Sequence, residues 1–217
     1  MGKDAVQASG SPFTPIRTMT YPPAHHQEND KDRLIEVVKR FPLGTVITAI
    51  DNKPLITHLP VIYDDQSGRL VSHIDAANPQ VASLKLGEPI TVIFHGPSSY
   101  ISPAVYASEQ LPTWNYIIVH ITGTVIPVTE AEDIKQSLIK MAAYLEGSEP
   151  GFVLQPDNPK MNRLVDYIRG FEVEITSWEG KFKLTQDKHP RERRLTKAHM
   201  LEQWHENVHD IIDKMYR

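Results

Sequence analysis

Apolar positions along this chain change period several times, and each change marks an element. Leu34, Val37, Val38 and Phe41 recur at i, i+3, i+4 and i+7, a helical stripe with Asp30 placed to cap its start and Pro42 to end it. From residue 44 the texture becomes β-branched. Runs at 44–50, 55–63 and 69–74 are separated by Asp51-Asn52-Lys53-Pro54 and by Asp64-Asp65-Gln66-Ser67-Gly68, which is turn chemistry. Pro60 inside the second run predicts a strand that is an edge, or bulged, at that point. Further strands are predicted at 90–95 and 116–125, and a last pair at 171–178 and 181–184 turning across Glu179-Gly180. Six or seven strands joined mostly by short turns predict an antiparallel barrel or sandwich. They do not alternate regularly with helices, which disfavours a doubly wound parallel sheet.

Helices punctuate the strands. Asn78-Pro79 opens a short helix over 79–86 with Gly87 as its stop, and Asn158-Pro159 repeats the signal with Gly170 as the stop. Thr129 and Glu132 form a capping-box pattern ahead of Ile134, Leu138, Met141 and Leu145. After Thr196, Leu201, Trp204, Val208, Ile211 and Met215 are spaced 3, 4, 3, 4, a narrow stripe on one charged helix expected to pack on its own or a neighbouring barrel. Residues 1–20 are small, polar and without period, which predicts a flexible lead. The expected domains are therefore this lead, a β domain over 21–188, and a C-terminal basic segment with an amphipathic helix over 189–217.

Composition narrows the function classes. The 217 residues include no Cys, so a disulfide framework, a thiolate metal site and a Cys nucleophile are all excluded. No apolar run approaches the roughly 18 residues of a membrane-spanning helix, and no secretory h-region opens the chain. The expectation is a cytoplasmic protein. A net charge of −4 argues against a surface built for phosphate neutralisation. Dinucleotide, P-loop, zinc-protease and serine-hydrolase fingerprints are all missing from the sequence. Adjacent His25 and His26 have no third ligand at metal-site spacing, so no metal centre is expected.

Three clusters carry chemistry. Thr57-His58-Leu59-Pro60 lies on one strand, and Ser72-His73 on the next leads to the helix start at Asn78, where unpaired N–H groups favour anions. The same residues also suit a barrel lining with its hydrogen bonds satisfied. A second, stiff aromatic segment holds Tyr100, Tyr106, Trp114, Asn115 and Tyr116 among prolines, able to stack on a planar ring or dock a subunit. The third is Lys181-Phe182-Lys183, two ammonium groups on one strand face, followed by Gln186 and the basic run from Lys188 to Lys197.

In this order the motifs resemble the PaiB family, described as FMN-binding negative transcriptional regulators with the split barrel of pyridoxamine-phosphate-oxidase-like proteins. The resemblance rests on Tyr21-x-Pro23-x-His25, Pro42-Leu43-Gly44-Thr45, Thr57-His58-Leu59-Pro60, Ser72-His73 with Asn78-Pro79, Gly96-Pro97 into Tyr100-Ile101-Ser102-Pro103 and Tyr106, Pro112-Thr113-Trp114-Asn115-Tyr116 with His120 and Gly123, and Glu179-Gly180-Lys181-Phe182-Lys183-Leu184-Thr185-Gln186. It covers about residues 21–188. His26 and Thr185 depart mildly from the family's Phe and Ser. The resemblance implies a mainly β fold with flanking helices, a dimeric six- to seven-stranded antiparallel split barrel, and FMN in two symmetric clefts between barrels. It further implies a cofactor site drawn from Thr57, His58, Leu59, Pro60, Ser72, His73, Asn78, Tyr100, Trp114, Asn115, Lys181, Lys183 and Gln186, with the phosphate toward Ser72, His73, Asn78 and Lys181 or Lys183. The isoalloxazine would lie along residues 57–60 and 114–116.

Regulation is the function this resemblance implies, although no helix-turn-helix signal is present and only residues 188–197 offer DNA a basic stretch. The competing readings are an FMN-dependent oxidoreductase of a small substrate, with Tyr100 and His58 as candidate acid–base groups, and a haem-binding or cofactor-free split barrel.

Overall fold

Alternating burial along each β-branched run bends the sheet around one core. The computed structural model describes residues 22–216. Seven strands are present among them: β1 (Gln27–Glu28), β2 (Leu43–Ile50), β3 (Lys53–Asp64), β4 (Arg69–Asp75), β5 (Pro89–Ile101), β6 (Thr113–Val128) and β7 (Ile168–Lys183). All pairings are antiparallel, and β7 pairs with both β4 and β6, so strands β2 to β7 close into a six-stranded barrel with β1 added at the edge. Val46, Val61, Val92, Phe94, Ile117, Val119, Ile121, Phe171 and Val173 point inward and are fully buried. Their outward neighbours are half-exposed, which is the period-2 pattern of a strand facing core on one side.

The helices are α1 (Lys31–Arg40), α2 (Ala131–Glu146), α3 (Pro159–Leu164), α4 (Pro190–Gln203) and α5 (His209–Met215). Asp30 caps α1 by accepting from the Asp32 amide, and Leu34, Val37 and Val38 bury its apolar stripe on the barrel core. Before Val61, β3 pairs with β2 and not with β4, so the strand is an edge up to Pro60, as a proline requires. The lead over 1–20 lies outside the described residues.

Several sequence expectations need correction. Glu179-Gly180 is not a turn: β7 runs straight through it as one sixteen-residue strand. Gly180 is needed because a Cβ there would sit 2.3 Å from Leu34 Cδ2 and 2.8 Å from the Glu28 carbonyl, so it admits α1 and β1 rather than reversing the chain. Gly170 likewise lies inside β7, opposite His73 and Val128, and α3 stops six residues earlier than its expected terminator, at Leu164. Thr129 does not form a capping box. Its hydroxyl donates to Glu130 Oε1 at 3.4 Å, and α2 starts after Glu130 with no side-chain cap.

The C-terminal stripe belongs to two helices, not one. Trp204 leaves α4 in an extended conformation, its indole N–H donating to the Ser98 carbonyl at 3.0 Å. That bond ties the segment to β5 and redirects the chain into α5. The stripe still packs on the barrel as its period demands, with Val208, Ile211, Met215 and Tyr216 joining the main core.

Candidate functional site

On β3 the strand period separates the first cluster. Thr57 turns toward the start of the turn after β4, its Oγ1 accepting from Asn78 Nδ2 at 3.2 Å, while Asn78 Oδ1 accepts from the Gln80 amide at 2.9 Å. Leu59 packs against the core. Ser72 is buried and donates to the Pro60 carbonyl at 2.7 Å, which fixes the point where β3 changes partners. His73 stands beside them on β4 with Nδ1 buried and without a hydrogen-bond partner. Burial lowers its pKa. The expected helix over 79–86 is a five-residue 3₁₀ turn, Pro79–Ser83, too short for a useful macrodipole. The anion site expected at this helix start therefore has no helix end behind it.

His58 faces outward, its Nδ1 lying 3.0 Å from Thr45 Oγ1, and His95 Nε2 lies 3.5 Å from the same hydroxyl. The register places His120 opposite Ile93 and Ile118 opposite His95. Burial, then the neighbouring His120 and His58 rings, lower the pKa of His95. Around these imidazoles the outer face is apolar and open: Leu43 is 63% exposed and Ile56 58%. A cleft of about 450 Å³ lies here between Arg40, Phe41, Leu43, Thr45, His58 and His95. The sequence places His58 in the candidate site, but Thr45 only in a family motif and His95 only beside the aromatic segment. Only the pairing of β2 with both β3 and β5 brings these three together.

The aromatic and basic residues form a second group. Past a β-bulge at Gly96-Pro97, the ends of β5 and β6 project together, and the rings of Tyr100 and Trp114 sit 6.1 Å apart, each about half-exposed. The Lys181 ammonium lies 5.4 Å over the Tyr116 ring, and Lys183 donates to Thr113 Oγ1. Asn115 is fully buried, its amide nitrogen donating to Thr185 Oγ1 at 2.8 Å and to the Tyr216 hydroxyl at 3.0 Å. Gln186 folds back on its own strand end, donating to the Phe182 carbonyl and accepting from the Leu184 amide. Tyr216 could not be singled out from sequence, lying just past the apolar stripe with no motif around it.

The two groups are not neighbours within one chain. Thr57 aligns through Val46 with Val92, whereas Trp114 pairs with Tyr100 further along β5. At the rise of a strand the separation is roughly 20 Å.

Acid should weaken this fold. Burial is the first cause that lowers the pKa of His26, His73 and His95 from 6.5. A histidine with a depressed folded-state pKa is protonated first in the unfolded chain, so stability is complete above 6.5 and falls as pH drops through the folded values. Thermal melting from about pH 7.5 to about pH 5.5 should show a falling Tm, and His73→Phe should flatten part of the slope. A Tm independent of pH would show that these imidazoles are not desolvated.

A family model described as "Putative FMN-binding domain" matches residues 20–177. The chain belongs to this family. Protease synthase and sporulation protein PAI 2 of Bacillus subtilis is 28% identical over 171 residues, covering 77% of this chain and 83% of that protein. Among solved structures, the FAD and heme binding protein from Mycobacterium smegmatis has a TM-score of 0.56 at 18% identity, covering 73% of each chain. The flavocytochrome Anf3 from Azotobacter vinelandii has a TM-score of 0.56 at 16% identity, covering 72% of this chain and 69% of that one. These two likenesses show the fold, a split barrel. The family's cofactor class is a flavin.

The residues fit such a group. His73 offers a buried ring nitrogen with no protein partner, the Asn78 amide reaches Thr57 at the start of the turn after β4, and Tyr100 and Trp114 present open aromatic faces. Among the described residues, no helix is long and apolar enough to cross a membrane.

Proposed function

We propose that the chain binds FMN as a homodimer, with two flavins in symmetric clefts where the barrels meet, and that the bound flavin serves regulation. One observation carries the reading. The candidate residues divide into two groups roughly 20 Å apart, joined across an outer sheet face that leaves Leu43 and Ile56 largely exposed. A second copy related by a twofold axis covers that face and sets Tyr100, Trp114 and Lys181 of one chain against Thr57–Pro60, His73 and Asn78 of the other. His73 and Asn78 would hold the phosphate, and the aromatic pair would cover the ring system. Bound there, the isoalloxazine supplies reversible redox chemistry, while the protein contributes orientation and exclusion of water.

Regulation is favoured over turnover because the polar groups nearby are committed to fixed bonds. Ser72 holds Pro60, Asn78 holds Thr57 and Gln80, and Asn115 holds Thr185 and Tyr216. The named role of the Bacillus subtilis relative in protease synthesis and sporulation is consistent with control. Direct DNA contact has weak material: in the run from Lys188 to Lys197, Arg193 donates to the Tyr216 carbonyl, Lys197 pairs with Asp213 and Lys188 with Asp187. The regulatory output is therefore carried by a partner or a small molecule rather than by DNA readout.

Purified protein should be yellow, with the absorption bands of an oxidised flavin, should release FMN on denaturation and should sediment as a dimer. A colourless monomer that ignores added FMN overturns the reading, and a Soret band in place of flavin bands favours haem. The second reading is an FMN-dependent oxidoreductase. The observation behind it is the Thr45, His58 and His95 set, which can take or give a proton on the same outer face. Steady NADH or NADPH consumption by the yellow protein, abolished in His58→Ala, would replace regulation with catalysis.

A further inference from the structure

We propose that a cleft beneath the projecting end of β5 and β6 is a second binding site for a small hydroxylated organic anion of the carboxylate or phosphate-monoester class, separate from the flavin's and taking Lys183, Asn115 and Gln186 out of the set that the family resemblance assigns to the flavin. It encloses about 280 Å³ between the loop from Tyr106 to Pro112, the turn that follows β7, and His26.

Its charge is what selects an anion. Asp187 and Lys188 pair with each other at 3.3 Å, which leaves Lys183 as the cation with no carboxylate partner among the described residues. Thr113 Oγ1 accepts from the Lys183 ammonium and so fixes its position at the cleft wall. Among the lining side chains one net positive charge remains, the Glu192 carboxylate behind the loop being taken up by the Ala107 amide and the Ser108 hydroxyl, and in a half-enclosed pocket it attracts an anion more strongly than on open surface.

The neutral groups are also set. Gln186 Nε2 donates to the Phe182 carbonyl, so its Oε1 is the acceptor, already bonded to the Leu184 amide. His26 Nδ1, 3.2 Å from that oxygen, must therefore carry the proton, and Nε2 is left as an acceptor. Burial favours this neutral imidazole. An acceptor beside a lone ammonium matches a ligand that carries a hydroxyl next to its anionic group.

The floor is rigid. Asn115, wholly buried, is held between Thr185 and Tyr216. Thr185 adopts φ +62°, a left-handed conformation that a β-branched residue takes only under strain. Its hydroxyl bonds Asn115 in both directions, which retains the conformation and places Lys183 and Asp187 around one turn. Strain of this kind concentrates at ligand clamps. Leu111 and Pro112 complete the cleft with an apolar wall, Leu111 being 83% exposed and open to the carbon skeleton of a ligand.

The test uses the flavin-loaded full chain and two probes, malate and inorganic phosphate, each titrated calorimetrically while flavin absorption is followed. At least one probe should bind at one site per chain without releasing flavin. Lys183→Met should weaken it at least tenfold and Lys183→Arg should retain it, with melting curves of all three proteins matching. No saturable heat from either probe, or binding that survives Lys183→Met, overturns the proposal. So does release of flavin by the anion, or a Lys183→Met chain that loses affinity for FMN but not for riboflavin, since the cleft then holds the flavin's own phosphate. Flavin absorption reads the first proposal independently, so a colourless protein that still binds malate separates the two.

Discussion

Alanine at both His73 and Asn78 is expected to weaken FMN binding by more than tenfold while the barrel stays folded. His73 Nδ1 is buried without a protein partner, so its imidazole has hydrogen-bonding capacity in reserve and its loss breaks no internal bond. Asn78 does make internal bonds, to Thr57 and to the Gln80 amide, but they cap a 3₁₀ turn that Gln80 independently anchors to Val46, Thr48 and Leu55. Losing such a cap costs about 1 kcal/mol. Two charge-assisted hydrogen bonds to a phosphate are worth about 1.5 kcal/mol or more each, beyond the 1.4 kcal/mol that a tenfold change requires. Flavin fluorescence titration of the double variant reads the affinity, and riboflavin serves as the control because it lacks the phosphate. Equal losses for FMN and riboflavin would move the phosphate away from this end of the barrel. Unchanged FMN affinity would remove both residues from the site.

The largest effect on stability is expected from Gly123→Ala. A Cβ at this position would lie 2.3 Å from the Glu174 carbonyl oxygen and 2.5 Å from Val173 Cγ1, both on β7 beside the register shift at Thr122/Gly123. A backbone atom so close cannot turn aside as a side chain can, so β6 and β7 must separate where the barrel closes. We expect a loss of about 3 kcal/mol or more, a fall of roughly 10 °C in Tm. Gly151→Ala is the control: its Cβ meets only Glu146 Oε2, at 3.7 Å, and Tm should hold within a degree or two. Equal melting temperatures for the two variants would mean that the β6–β7 seam yields where its packing says it cannot.

Much of this architecture is legible in the sequence because it is written in local periods. The α1 stripe, the β-branched runs and the turn residues at 51–54 and 64–68 each specify an element from its own residues. What is not legible depends on distant partners. Gly180 reads as a turn from its neighbours, yet it is there because Leu34 crosses β7 at that point. The 3, 4, 3, 4 stripe reads as one helix, yet the Trp204 indole finds the Ser98 carbonyl and breaks it. The candidate site divides the same way. Thr57, His73, Asn78, Trp114 and Lys181 are visible as motif residues. The separation of their two groups, the Thr45–His58–His95 set and the Asn115–Tyr216 contact follow only from how six strands are ordered around a ring.

That ring is sealed by its last strand. β4 and β6 have no other partner on their open sides until β7 is in place. A chain emerging from the ribosome therefore carries two bare hydrogen-bonding margins through the whole synthesis of α2 and α3, and such margins invite pairing with other chains. Assembly of this barrel is a late, nonlocal event, and a product that ends before residue 168 is destined to aggregate rather than to persist as a smaller domain.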